Sequence, residues 1–281
     1  VFLNFAGIAE KLQEQRASRM GFMRLTFLGT GTSFGVPVVG CDCEACTSDD
    51  SRDERTRHGA LLELEEGTFL VDTPPELRLQ LLAVGAENVD AVWYTHAHAD
   101  HVHGIDDLRA FTARQHRDIP AYVPLEFEEQ FRTRFSYIFD DDYQPPEGTT
   151  KPRVRLIPFG PDEATVILGH RFEPVVVPHG PINVYGFRVG SLGYVTDAKE
   201  LPEAALKTLK GVSVLVLNAL WFGRPHPTHF NIEEAVEAAR TVGAERTYLI
   251  HLTHRVRHQE LLDRLPEGVV PAYDGLSIEI S

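Results

Sequence analysis

Residues 95–101 read Thr-His-Ala-His-Ala-Asp-His, directly after an apolar run over 89–94. Four side chains able to ligate a metal, His96, His98, Asp100 and His101, thus fall within six residues. His96 and His98 are two apart, so in an extended segment both leave the same face and can grip one cation. Asp100 and His101 come where the chain should turn into a helix, and that turn can aim them at a second cation beside the first. Spacing of this density points to metal chemistry with two ions rather than to histidines solvated or bonded in a core.

A second cluster lies upstream. Gly40-Cys41-Asp42-Cys43-Glu44-Ala45-Cys46 sets three thiols within six residues. Cys41, Cys43 and Cys46 are too close in sequence for an ordinary disulfide framework, and as thiolates they can cover three corners of a zinc tetrahedron. The fourth ligand must come from elsewhere. Clustered thiols of this kind suit a reducing, cytoplasmic setting.

Strands, turns and helices must position these groups. Residues 23–28 alternate like a strand and end on Gly29-Thr30-Gly31-Thr32-Ser33, a tight turn near the site rather than a phosphate loop, because the Lys of a P-loop is missing. After a charged stretch over 49–57, residues 58–64 and 68–71 read as paired strands ending on Asp72, a turn residue or a partner of the metal ligands. Residues 76–82 and 125–135 are expected to be helical. Val102, Ile105, Leu108 and Phe111 recur on one face and predict a single helix behind the metals, with His103 in its first turn. Residues 137–152 form a long irregular loop, either a pocket border or a surface excursion.

Strand patterns continue over 119–123, 154–158, 164–168, 173–178, 185–189, 193–196, 212–217 and 247–250. Three of them end on His179, Asp197 and His251, so residues from distant segments can converge on one rim. Asp197 could bridge two metals or cap a helix. His229 precedes Asn231, an expected N-cap with Glu234 completing the box and Ile232, Ala235, Val236 and Ala239 facing inward. A histidine beside a helix N-terminus could donate a proton to a leaving oxygen.

The chain has 281 residues, 43% hydrophobic, enough for one well-buried domain over 23–281, with 1–22 as a leader lacking the positive charges of an export signal. Its formal charge of −14 disfavours a broad nucleic-acid surface. No run approaches the roughly 20 apolar residues of a membrane span.

The cluster at 95–101, with His179, Asp197 and His251 after it in that order, resembles the metallo-β-lactamase superfamily, from about residue 23 to the C-terminus. The resemblance implies an α/β fold, an αββα sandwich of two similar halves with a binuclear site at one edge. His96, His98 and His179 would hold one metal, Asp100, His101 and His251 the other, with Asp197 between them. His229 resembles the extra histidine of the phosphodiesterase branch. The cysteines combined with His251-x-x-His254 resemble the PhnP family of phosphoribosyl cyclic phosphodiesterases, which implies His254 as fourth ligand of a structural zinc.

The resemblance thus implies a hydrolase for a small phosphodiester, with two manganese or zinc ions generating a hydroxide, Asp100 among the catalytic ligands and His229 as general acid. Two alternatives stand beside it: a transfer-RNA 3′-processing type of nuclease, which should carry a basic arm, and a noncatalytic accessory protein of the PqqB type. A homodimer is left open.

Overall fold

The computed structural model describes residues 23–140 and 142–281; the leader expected over 1–22 lies outside the described residues. Among the described residues, fourteen strands form two mixed sheets of seven. The first contains β1 (Met23–Gly29), β2 (Gly59–Leu64), β3 (Gly67–Val71), β4 (Ala91–Trp93), β5 (Ile119–Pro124) and β6 (Val154–Phe159). The second contains β7 (Thr165–Ile167), β8 (His170–His179), β9 (Ile182–Val189), β10 (Leu192–Tyr194), β11 (Val214–Asn218), β12 (Arg246–Ile250) and β13 (Val269–Pro271). The last strand, β14 (Ser277–Ile280), returns to the first sheet and pairs antiparallel with β1, Met23 opposite Ile280.

The sheet orders are β14-β1-β2-β3-β4-β5-β6 and β13-β12-β11-β10-β9-β8-β7. Counted from β14 and from β7, each sheet runs through three antiparallel pairings and then three parallel ones. This repeat is the pair of similar halves expected from the sequence. Aromatic rings fill the space between the sheets, with Phe69 and Phe172 at 4.7 Å, Trp93 and Phe159 at 4.2 Å, and Phe187 stacked on Tyr194 at 5.4 Å. Offset and edge contacts of this kind add about 0.5–1.5 kcal/mol per pair beyond the area they bury.

Helices cover the outer faces. On the first sheet lie α1 (Leu77–Ala83), α2 (Ala99–Val102), α3 (Arg109–Gln115), α4 (Glu128–Arg134) and α5 (Ser136–Phe139). On the second lie α6 (Glu203–Leu209), α7 (Ile232–Val242) and α8 (His258–Arg264). The expected single helix over Val102–Phe111 is instead α2, a 3-10 turn at Ile105–Leu108, and α3. Gly104 is the reason: a Cβ there would lie 2.1 Å from the Pro74 carbonyl oxygen, and its N–H donates to Thr73 O at 2.8 Å. The four apolar residues still point inward and are buried. Helix α7 starts as expected, with Asn231 Oδ1 accepting from Glu234 N at 2.8 Å and Glu234 Oε2 accepting from Asn231 N at 2.9 Å.

The glycine-rich segment after β1 is a close-packed turn. Cβ atoms on Gly29 and Gly31 would meet the carbonyl oxygens of Arg57 at 2.0 Å and Arg55 at 2.6 Å, so only glycine fits. Among the described residues, no helix is long and apolar enough to cross a membrane.

Candidate metal centre

The rim is built where strands end. Asp72 comes after β3, His96 after β4, His179 closes β8, Asp197 comes after β10 and His251 after β12. Asp72, Asp197 and His251 have φ of 61°, 53° and 59°. Such left-handed backbone costs a non-glycine residue roughly 1–3 kcal/mol and persists where surrounding structure holds it, a pattern common at functional sites. Here it turns the chain at the sheet edge and leaves the three side chains on the rim.

Two groups result. His96, His98, His179 and Asp197 bring one donor atom each within 4.8 Å of one another, and so do His101, Asp197 and His251. Asp197 is common to both: its Oδ2 lies 3.3 Å from His101 Nε2 and 3.7 Å from His96 Nε2, and its Oδ1 lies 3.2 Å from His251 Nδ1. Asp100 joins the second group with Oδ2 3.5 Å from His101 Nε2.

Proton bookkeeping supplies the fit test. Thr95 Oγ1 gives its one proton to Asp72 Oδ2 at 2.8 Å, so toward His96 Nδ1, 3.0 Å away, it can only accept. His96 therefore carries its proton on Nδ1, and Nε2 is a lone pair, buried without a partner. His101 donates from Nδ1 to Asp72 Oδ2 at 2.7 Å and His179 from Nδ1 to Thr228 O at 3.0 Å. His101 Nε2 and His251 Nδ1 are likewise buried and make no hydrogen bond, each instead set beside the Asp197 carboxylate, at 3.3 and 3.2 Å. Buried polar atoms are normally satisfied, so several orphans converging on one carboxylate fit cations.

The charges agree. Burial pushes Asp197 up but is outweighed by His251 and His101, which hold it well below the ordinary carboxylate range. Burial likewise acts against charge on His101, yet Asp197, Asp100 and Asp72 outweigh it and hold that imidazole well above its usual value. Burial drives His96 far down. Asp197 and Asp100, both held low by the neighbouring histidines against burial, make with mostly neutral imidazoles an anionic pocket suited to divalent ions, whereas burial raises Asp72 behind His101; nitrogen and oxygen donors suit zinc or manganese.

Asp72 is more than a turn residue. It is fully buried and accepts from Thr95 N at 2.8 Å as well as from Thr95 Oγ1 and His101 Nδ1, fixing the orientation of two rim histidines. Asp72→Asn is expected to weaken divalent-cation binding about 10- to 100-fold, read by metal titration. Unchanged affinity would reduce Asp72 to a turn.

Sequence reasoning passes over His58. Fully buried at the head of β2, it sits 3.6 Å from Asp72 Oδ2 and 3.4 Å from Tyr194 Oη, with its ring 5.2 Å from that of His101. The available signal is a polar residue opening an apolar strand beside the one that ends on Asp72. His103, by contrast, is exposed against Phe135.

The cysteines meet His254. Its Nδ1 lies 3.3, 3.5 and 3.6 Å from Sγ of Cys41, Cys43 and Cys46. Bond lengths of about 2.3 Å to sulfur and 2.0–2.1 Å to nitrogen at tetrahedral angles put S and N about 3.5 Å apart, so the four residues could hold a structural zinc. Hydrogen bonding from the Cys46 backbone brings Cys43 down to about 6, which favours its thiolate, while burial pushes Cys46 up to about 11. Cys43→Ser is expected to cost roughly 2 kcal/mol or more of unfolding free energy while turnover stays within about tenfold. Thermal melts and kinetics of the same preparation check this; a large loss of turnover at unchanged Tm would overturn the division of roles.

A cavity of about 430 Å³ opens between the two clusters, lined by His229 and His251 on one side and His254 and Arg255 on the other. Of the irregular loop expected over 137–152, the first residues belong to α5, and no described residue of the segment lines this cavity. The larger cavity of about 1060 Å³ is lined by Arg24, Glu63, Asp274 and neighbours and touches none of the candidate ligands.

Two seven-stranded sheets between helices, with histidines and aspartates gathered on one rim, define an αββα sandwich of the metal-dependent hydrolase type. The beta-lactamase superfamily domain matches residues 68–252, and the chain belongs to that superfamily. A solved diphosphatase of the PhnP family is 37% identical, covers 92% of this chain and 98% of its own, and superposes with a TM-score of 0.84. YhfI from Bacillus subtilis, 20% identical over 92% of this chain and 99% of its own with a TM-score of 0.72, shares the fold. The octanoyltransferase of Porphyromonas gingivalis (strain ATCC BAA-308 / W83) is 37% identical over 256 residues, 90% of this chain. The chain spans about half of that relative's length, 51%.

Proposed function

We propose that this hydrolase is a metal-dependent phosphodiesterase acting on a small, cyclic phosphodiester such as phosphoribosyl 1,2-cyclic phosphate. His96, His98, His179 and Asp197 would hold one divalent ion, and Asp100, His101, His251 and Asp197 the other. Such ions supply Lewis acidity toward phosphate oxygens and acidify water for attack on phosphorus. Likeness to the PhnP-family diphosphatase supports phosphorus chemistry. The acyl-transfer name of the Porphyromonas gingivalis relative stays with that protein, about half of which lies outside the match.

The observation that carries the reading is His229. Its Nε2 is buried without a partner, 3.8 Å from Asp197 Oδ2, and its ring lies 4.6 Å from His179 and 5.0 Å from His251. It is therefore at the cluster without belonging to either ligating group. Nδ1 is held by Thr228 Oγ1 at 2.9 Å and His226 Nδ1 at 3.3 Å, which orients the ring. His226 Nδ1 accepts from Thr228 N at 3.3 Å, so the proton between the two imidazoles belongs to His229. With Nδ1 protonated, Nε2 offers a proton only when the ring is the imidazolium, and from that form it can pass one to a departing alkoxide. The net charge of −14 supports a small substrate over a polynucleotide.

Manganese-dependent hydrolysis of bis-p-nitrophenyl phosphate and of a 2′,3′-cyclic nucleotide tests this. Both should turn over. His229→Ala should lose about 10²-fold or more on the cyclic nucleotide, whose leaving alkoxide needs a proton, and little on the nitrophenyl ester. A fully metallated protein inert on both would favour an accessory role and sink the assignment.

A further inference from the structure

The cavity beside His229 is built of flat surfaces that hydrolysis of a phosphodiester does not require. Starting at the cluster, the His229 ring lies 5.1 Å from His226, His226 lies 5.5 Å from Trp221, and the Arg255 guanidinium sits 4.4 Å from the Trp221 ring centre. Phe34, on the turn after β1, lines the same cavity and is 73% exposed. In a chain with 41 acidic residues, no described Asp or Glu lines this space. Among the described residues, Arg255 also has no carboxylate within ion-pair distance. Both walls are tied to the cysteine cluster, since Arg255 adjoins His254 and Val38 N donates to Cys46 Sγ at 3.2 Å.

Phe34, largely exposed, and Trp221, half-buried, line one cavity continuous with the rim histidines, and aromatic walls of that kind are surfaces for a ligand. An indole covered by a guanidinium, in one cavity with a phenyl ring and without carboxylates, suits a planar, electron-rich ring system, because bases stack on aromatic and guanidinium planes alike. Within the class of small cyclic ribosyl phosphodiesters, a sugar-only ester such as phosphoribosyl 1,2-cyclic phosphate would leave these faces unused, whereas one that carries a base would cover them. Resting on the phosphodiesterase reading, we infer that this cavity is a nucleobase subsite on the leaving-oxygen side of the substrate, so that the substrate is a nucleoside-bearing phosphodiester held between Phe34 and the Trp221–Arg255 stack.

The chain has two tryptophans, and Trp93 is fully buried between the sheets, so ligand-dependent quenching of indole emission reports on Trp221. Titrating the metal-loaded protein with adenosine should quench emission saturably, whereas ribose 5-phosphate should leave it unchanged. Trp221→Phe should abolish the quenching, and Phe34→Ala should weaken adenosine binding by roughly tenfold or more. Equal responses to adenosine and ribose 5-phosphate, or no response to either, would overturn the subsite. Kinetics separate this from the reaction itself. Hydrolysis that proceeds with kcat/KM indifferent to the base removes the subsite and keeps the phosphodiesterase, whereas adenosine quenching without hydrolysis keeps the subsite and removes the phosphodiesterase.

Discussion

Asp197→Asn is expected to lower manganese-dependent hydrolysis by about 10³-fold or more and to strip at least one equivalent of bound metal. The reason is geometric. Among the described residues, Asp197 is the only carboxylate shared by the two ligating groups, and its oxygens lie 3.2–3.7 Å from His251, His101 and His96. Asparagine keeps the shape and tolerates the left-handed backbone that φ of 53° demands, so the change removes charge while sparing the turn. Metal content by elemental analysis, read with the circular dichroism of the same sample, separates lost ligation from lost folding. A variant that keeps both ions and works within about tenfold of the parent would show that Asp197 does not join the two sites.

The largest stability loss is expected from Arg55→Ala. Arg55 and Asp53 form an ion pair at 2.8 Å with side chains 0% and 3% exposed. Arg55 Nη1 also donates to the carbonyl oxygens of Thr253 and Val256, at 2.9 and 3.0 Å, while Asp53 Oδ1 accepts from His258 N at 2.6 Å. The pair thereby clamps the segment that carries His254 and Arg255. Burial lowers the Arg55 pKa, with Asp53 opposing, and truncation would leave the Asp53 charge buried and unpaired. Breaking such a pair costs about 3–5 kcal/mol, measurable by urea unfolding. A loss below about 1 kcal/mol would show the segment is held by other contacts.

Much of the chemistry is legible in the sequence because it is local. His96, His98, Asp100 and His101 share one short segment, the three cysteines another, and the Asn231–Glu234 box spans a single helical turn. His179, Asp197 and His251 can be found because each ends an apolar strand. Other features have no local sign. The stretch over 49–57 shows in the sequence only as charged, yet Asp53 and Arg55 are buried by carbonyls and an amide about two hundred residues away. Gly104 breaks a well-patterned helix only because Pro74 presses against it. Strand β14 is a short edge element whose partner lies at the other end of the described chain.

The sequence by itself determined which residue types are present, their spacing within a turn or a strand, and therefore that side chains able to ligate cations, and clustered thiols, belong to this protein. Only the tertiary structure decided which nitrogen of each histidine faces the rim, that Asp72 orients His101 directly and His96 through the Thr95 hydroxyl, that His58 lies beneath them, and that Phe34, Trp221 and Arg255 share a cavity. The physical reason is range: strand and helix periodicity is set by neighbours a few residues apart, whereas hydrogen-bond partners and burial are set by segments that meet only when the two sheets close.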